Sequence, residues 1–78
     1  MRREHFRDLL AAEFGEAFAG AYFDRSGFSE GPPAVLYPWS YIAEDKFKQN
    51  ARRFLEREGV KLGPAVVAHL KNPRQPGR

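Results

Sequence analysis

Apolar residues in the first third of the chain return at every fourth position: Phe6, Leu10, Phe14, Phe18 and Tyr22, joined by Ala17 and Ala21. That spacing predicts one N-terminal helix from Arg3 to about Asp24, on the order of five turns long, with a stripe drifting slowly round it. Beside the stripe runs a row of small residues, Ala11, Gly15 and Ala19, against which another backbone can approach closely. Gly15 and Gly20 each cost about 1 kcal/mol relative to Ala inside a helix, so the pattern predicts either a tight crossing or a kink near Gly20. Asp24 to Gly27 reads as the helix exit.

The same period returns between Ser40 and Gly59, where Ala43, Phe47, Ala51, Phe54 and Leu55 fall in one arc. This is an amphipathic central helix. Ser40 is its expected N-cap, and Gly59 its expected left-handed terminator, with Val60 reaching back onto Leu55. Glu44 and Asp45 lie near its positive end and Arg52, Arg53 and Arg57 near its negative end, while Arg52 and Glu56 can pair across one turn on the solvent side.

Between these helices, FSEGPPAVLYPW (Phe28 to Trp39) excludes a regular helix through Pro32, Pro33 and Pro38. Ala34 to Tyr37 suits a short extended segment, with no evident partner strand. Four aromatics belong to this connection: Phe28, Tyr37, Trp39 and Tyr41. Their bland role is to cover the open side of a helix pair. Their functional roles would be interface anchoring or base stacking. After Gly59, Gly63 and Pro64 read as a cap and a first helical position for a third, two-turn helix from Ala65 to about Lys71, stopped by Asn72 and Pro73. The expected fold is all-α: a small three-helix domain over residues 1–72 with a Pro-rich aromatic connection between helix 1 and helix 2, and a disordered basic tail at 73–78. Its expected core joins Phe6, Leu10, Phe14 and Phe18 to Phe47, Phe54 and Leu55.

Size sharpens the demand on that core. A chain of 78 residues has room for one domain, which buries only roughly 60% of its unfolded surface. Seven Phe, three Tyr and one Trp supply the bulk, and with no Cys neither disulfides nor thiolate metal sites can replace packing. The longest apolar run, Pro32 to Tyr37, is far short of the ~20 residues that span a bilayer. The N-terminus lacks the continuous apolar region of a secretion signal. A cytoplasmic protein without membrane contact is the expectation.

The net charge of +3 hides an asymmetry. Residues 1–44 carry four Arg and seven acids, whereas residues 45–78 carry nine Lys and Arg and three acids. Such a chain either pairs its halves internally or shows a basic surface to a partner.

Catalytic chemistry finds little support. His5 and Asp8 can touch across a helical turn but lack a third group or a nucleophile, and His69 sits beside Leu70 as an edge residue. No CxxC, HExxH or calcium loop is present, and the glycines form neither GxGxxG nor GxxxxGK. The expectation is a protein that is not an enzyme and uses no metal or cofactor.

What remains is binding. One flank of the central helix presents Lys46, Gln49, Asn50, Arg53 and Arg57, continued by Lys61 and by Lys71, Arg74 and Arg78. Cations release counterions from phosphates, and Gln and Asn can address adenine, so this flank suits nucleic acid through backbone and shape more than sequence. A solvated helix face has the same composition. A helix-turn-helix reading of the last two helices fails because the second offers Ala65, Val66, Val67, Ala68 and Leu70 where base-reading side chains belong. The alternative is a protein-binding regulator, inhibitor or adaptor, a homodimer among its arrangements, anchored through Phe28, Tyr37, Trp39 and Tyr41.

Overall fold

A computed structural model describes residues 1–66. Among them the chain is not all-α: helices are joined by a three-stranded mixed sheet, which replaces the expected three-helix fold. The order is α1 (Arg3–Phe14), α2 (Glu16–Phe18), a π-helical turn (Ala19–Phe23), β1 (Gly27–Ser29), β2 (Ala34–Tyr37), α3 (Tyr41–Asn50), α4 (Arg52–Glu58) and β3 (Val60–Leu62). β2 lies in the middle of the sheet. It pairs antiparallel with β1, Phe28 opposite Leu36, and parallel with β3, Val35 opposite Lys61.

The single N-terminal helix expected from Arg3 to Asp24 is broken. Gly15 takes φ 100° and ψ 156°, a conformation that a side chain would strain. Its N–H still reaches Ala11 O at 2.8 Å. Past the break, the Asp24 N–H reaches back five residues to Ala19 O at 3.0 Å, the π-type spacing. These two irregularities reset the helical phase. Phe6 and Leu10 are fully buried, but the buried role then passes to Ala19 and Phe23, leaving Phe14, Phe18 and Tyr22 half-buried against the core.

The central helix behaves as its caps dictate. Ser40 Oγ accepts from the Ala43 N–H at 3.0 Å, and Gly59 ends the helix with φ 74°. It bends into α3 and α4 at Ala51 (φ −120°, ψ 13°), where the Ala51 and Leu55 N–H groups keep their bonds to Phe47 O and Ala51 O at 3.0 and 2.9 Å. The turn at Gly59 then sends Val60 back alongside Ala34, creating β3. Beyond it the chain stays non-helical: the Gly63 N–H donates to Leu36 O and the Val66 N–H to Pro38 O, each at 2.8 Å. The third helix expected from Ala65 therefore does not begin there. Its remainder and the basic tail fall at 67–78, outside the described residues.

Phe6 is the hub of the core, with ring centroids 5.3 Å from Phe23, 5.1 Å from Phe28 and 5.5 Å from Phe54. Leu36 of β2, Ala43 and Phe47 of α3, and Leu55 and Val60 complete the buried set. Two arginines tie α1 to the exit of the π turn. Arg3 donates to the carbonyl oxygens of Ser26 (3.0 Å), Asp24 (3.1 Å) and Phe23 (3.5 Å) at and just past the end of the π turn, where Phe23 O also accepts from the Ser26 N–H at 2.8 Å. Arg7 grips Asp24 through Nε at 2.7 Å and Nη2 at 3.0 Å, and reaches Glu16 at 3.0 Å. That contact holds the Asp24 carboxyl below the usual carboxylate range. Buried Ser26 links both sides: its hydroxyl donates to Tyr22 O at 2.7 Å and accepts from the Trp39 N–H at 3.1 Å.

Candidate functional site

Because the helical turn continues through the Ala51 bend, two flanks can be followed along α3 and α4. Lys48, Arg52 and Glu56 stand at four-residue spacing on one, Lys46, Asn50, Arg53 and Arg57 on the other. The Gly59 turn decides which flank matters, since β3 runs beside the first. Between them lies an open groove of about 630 Å³. Its apolar floor is half-buried Leu62 with the nearly buried Leu55 and Val60 over the fully buried Phe47; its rim carries Lys48, Arg52 and Lys61 with Glu56.

Two of the three rim cations make no ion pair among the described residues. Lys48 lies 3.6 Å from Glu44, a partly exposed pair one helical turn apart of the kind that contributes little. Among the described residues, Arg52 and Lys61 make no ion pair within 4.0 Å. Arg57 is different. It donates to Glu13 of α1 at 2.9 Å and to Glu58 at 3.2 Å, and these acids, Glu13 foremost, raise its pKa further.

The six cationic and amide residues expected to form one nucleic-acid surface are thus divided. Gln49, Asn50 and Arg53 are exposed and Lys46 is half-buried on the second flank. Arg57 is held by Glu13, and Lys61 lies across the helix pair on β3, facing the groove. The four aromatics proposed as a protein interface also separate. Phe28 stacks on Phe6, and Tyr37 lies so near Gly63 that a Cβ there would come within 2.6 Å of its ring. The Trp39 indole N–H donates to Ala21 O at 3.1 Å, with the Arg25 guanidinium 5.1 Å from the ring centre. Tyr41 is 66% exposed, next to Ile42 at 68%.

Sequence reasoning placed Arg52 and Glu56 on the solvent side without seeing the groove. The four-residue row Lys48, Arg52, Glu56 was a readable signal for one wall. The other wall depends on β3. Among the described residues, no three His, Asp or Glu side chains gather as a metal set, and no helix is long and apolar enough to cross a membrane. Comparison with family models, curated proteins and solved structures finds no match to this chain.

Proposed function

We propose that this chain is a non-enzymatic binding module that docks an acidic protein segment in the groove between α4 and β3. The observation that carries this reading is the combination of an apolar floor, Leu62 with Leu55 and Val60, and a rim on which three cations outnumber one acid, Glu56. An apolar patch rimmed by charge is the usual anatomy of a protein contact, and the cations select and steer an acidic partner. A second reading, nucleic acid along the other flank, is favoured by Gln49, Asn50 and Arg53, which stay exposed, and by Lys46, which like Arg53 makes no ion pair within 4.0 Å among the described residues.

Fluorescence anisotropy with a 15-residue poly-glutamate and a 15-nucleotide oligo-dT, each at low and moderate salt, tests both. The poly-glutamate is expected to bind at low salt and weaken as salt rises. Arg52→Ala with Lys61→Ala should weaken it roughly tenfold, the effect of about 1.4 kcal/mol. No binding of poly-glutamate at low salt removes the acidic-segment reading. Oligo-dT binding that depends on Lys46 and Arg53, with the groove variant unaffected, transfers the function to the second flank.

A further inference from the structure

The groove has a third property besides its floor and rim: one of its walls is a sheet edge that no strand of the described residues pairs with. In the order β1, β2, β3, only β2 is paired on both sides among the described residues. The Gly63 N–H turns toward Leu36 O of β2. Main-chain groups in a strand alternate between its two neighbours, so those of Lys61 also face β2 and those of Leu62 face away from it, into the open side. The opposite edge is attended by the start of the chain. Past β1, the Met1 ammonium donates to Glu30 O at 3.2 Å and the Arg3 N–H to the Glu30 carboxylate at 2.8 Å.

From this geometry, and resting on the docking reading above, we infer that the partner segment binds extended, as a fourth strand added along β3, with apolar residues over the groove floor alternating with carboxylates. Three observations converge on that occupant. Outward main-chain groups at Leu62 supply the hydrogen-bonding register of an added strand, as in other sheet-edge recognition. Half-buried Leu62, backed by Leu55 and Val60, gives the alternate side chains of such a strand an apolar contact. Lys61, exposed on the edge strand itself, acts as a filter. Lysine on an edge opposes pairing with a second copy of the same edge, since two like charges would meet, and it admits a strand that brings its own carboxylates. Lys48 and Arg52 extend the same preference along the helix wall.

The test uses the full chain with three labelled heptapeptides: alternating Glu and Val, its Lys and Val counterpart, and the Glu and Val peptide N-methylated at alternate residues to remove the donors that a strand needs. The Glu and Val peptide should bind saturably, with the Lys and Val and the N-methylated versions each at least tenfold weaker, and Lys61→Glu should reverse the charge preference. Circular dichroism of the Lys61→Glu chain checks that its fold is kept. If poly-glutamate binds but N-methylation changes nothing, strand addition is wrong while the docking reading stands. If neither poly-glutamate nor the heptapeptide binds, both fail. Concentration-dependent dimerisation that the Glu and Val peptide cannot compete away would assign the edge to a second copy and overturn the inference.

Discussion

Two regions of this molecule hold cations for opposite purposes. In the α1 region, Arg3 and Arg7 are built into the fold: one closes the carbonyl ends at Phe23, Asp24 and Ser26, the other is locked between Asp24 and Glu16. In the region from α3 to β3, Arg52 and Lys61 stand around an apolar groove without acidic partners among the described residues. Arg57 belongs by sequence to the second region and by contact to the first, since Glu13 of α1 holds it. Net charge along the chain therefore says little about a binding surface until the charges used internally are subtracted. Among the described residues, acids of the first half pair with its own Arg2 and Arg7 and with Lys48 and Arg57 of the second; of the second-half cations left unpaired, Arg52 and Lys61 stand beside β3 while Lys46 and Arg53 lie on the other flank.

The largest effect expected concerns the core that joins the two regions. Phe6 is fully buried and touches rings from the π turn, β1 and α4, so Phe6→Ala should cost about 3 to 5 kcal/mol in urea denaturation, a large part of a small domain's stability. A cost below about 1 kcal/mol would mean that the two regions are not held through this ring.

A smaller effect addresses the comparison directly. Arg3→Met keeps the aliphatic stem, removes a guanidinium 4.5 Å from the centre of the Phe23 ring, and leaves the Ser26 carbonyl without its donor, which should cost about 1 to 3 kcal/mol. Arg52→Met should shift stability by no more than about 0.5 kcal/mol while weakening the binding of poly-glutamate. If both substitutions destabilise the chain equally, the division between structural and free cations does not hold.

Legibility in the sequence follows the range of the interactions. Ser40 and Gly59 act on the nearest turn, and both end a helix where their chemistry says they should. Gly15 was visible as an expensive helix residue, but how far the phase shifts after it depends on the π turn, which Phe23 completes by packing against Phe6. β3 is the extreme case. Three residues, Val60 to Leu62, carry no usable alternation, and they become a strand because Gly59 turns them onto β2, some two dozen residues earlier in the chain. The groove inherits this split: the wall bearing Lys48 and Arg52 follows from helical spacing, while the one bearing Lys61 requires knowing the sheet.

The smallest effect isolates the Arg7 clasp through pH. Asp24 faces Arg7, which donates to both carboxylate oxygens, and Arg3, whose guanidinium reaches the Asp24 main-chain carbonyl; Glu16 competes for Arg7. The Arg7 contact lowers the Asp24 pKa in the folded chain below its ordinary value of about 3.9. A carboxylate depressed in this way contributes stability that is fully present above the unfolded-state pKa and disappears as pH falls through the folded one. Asp24→Asn should therefore be less stable than the natural chain at pH 7, and the gap should close as pH drops from about 5 to below 3. Partial exposure of both side chains means that 1 M salt should narrow the gap at neutral pH as well. Denaturation midpoints for the two chains across that range decide the matter: curves that stay parallel through the acid limb would show that the clasp is not what holds the π turn to α1. Arg52→Met measured alongside should track the natural chain throughout, because its guanidinium meets no carboxylate within 4.0 Å among the described residues.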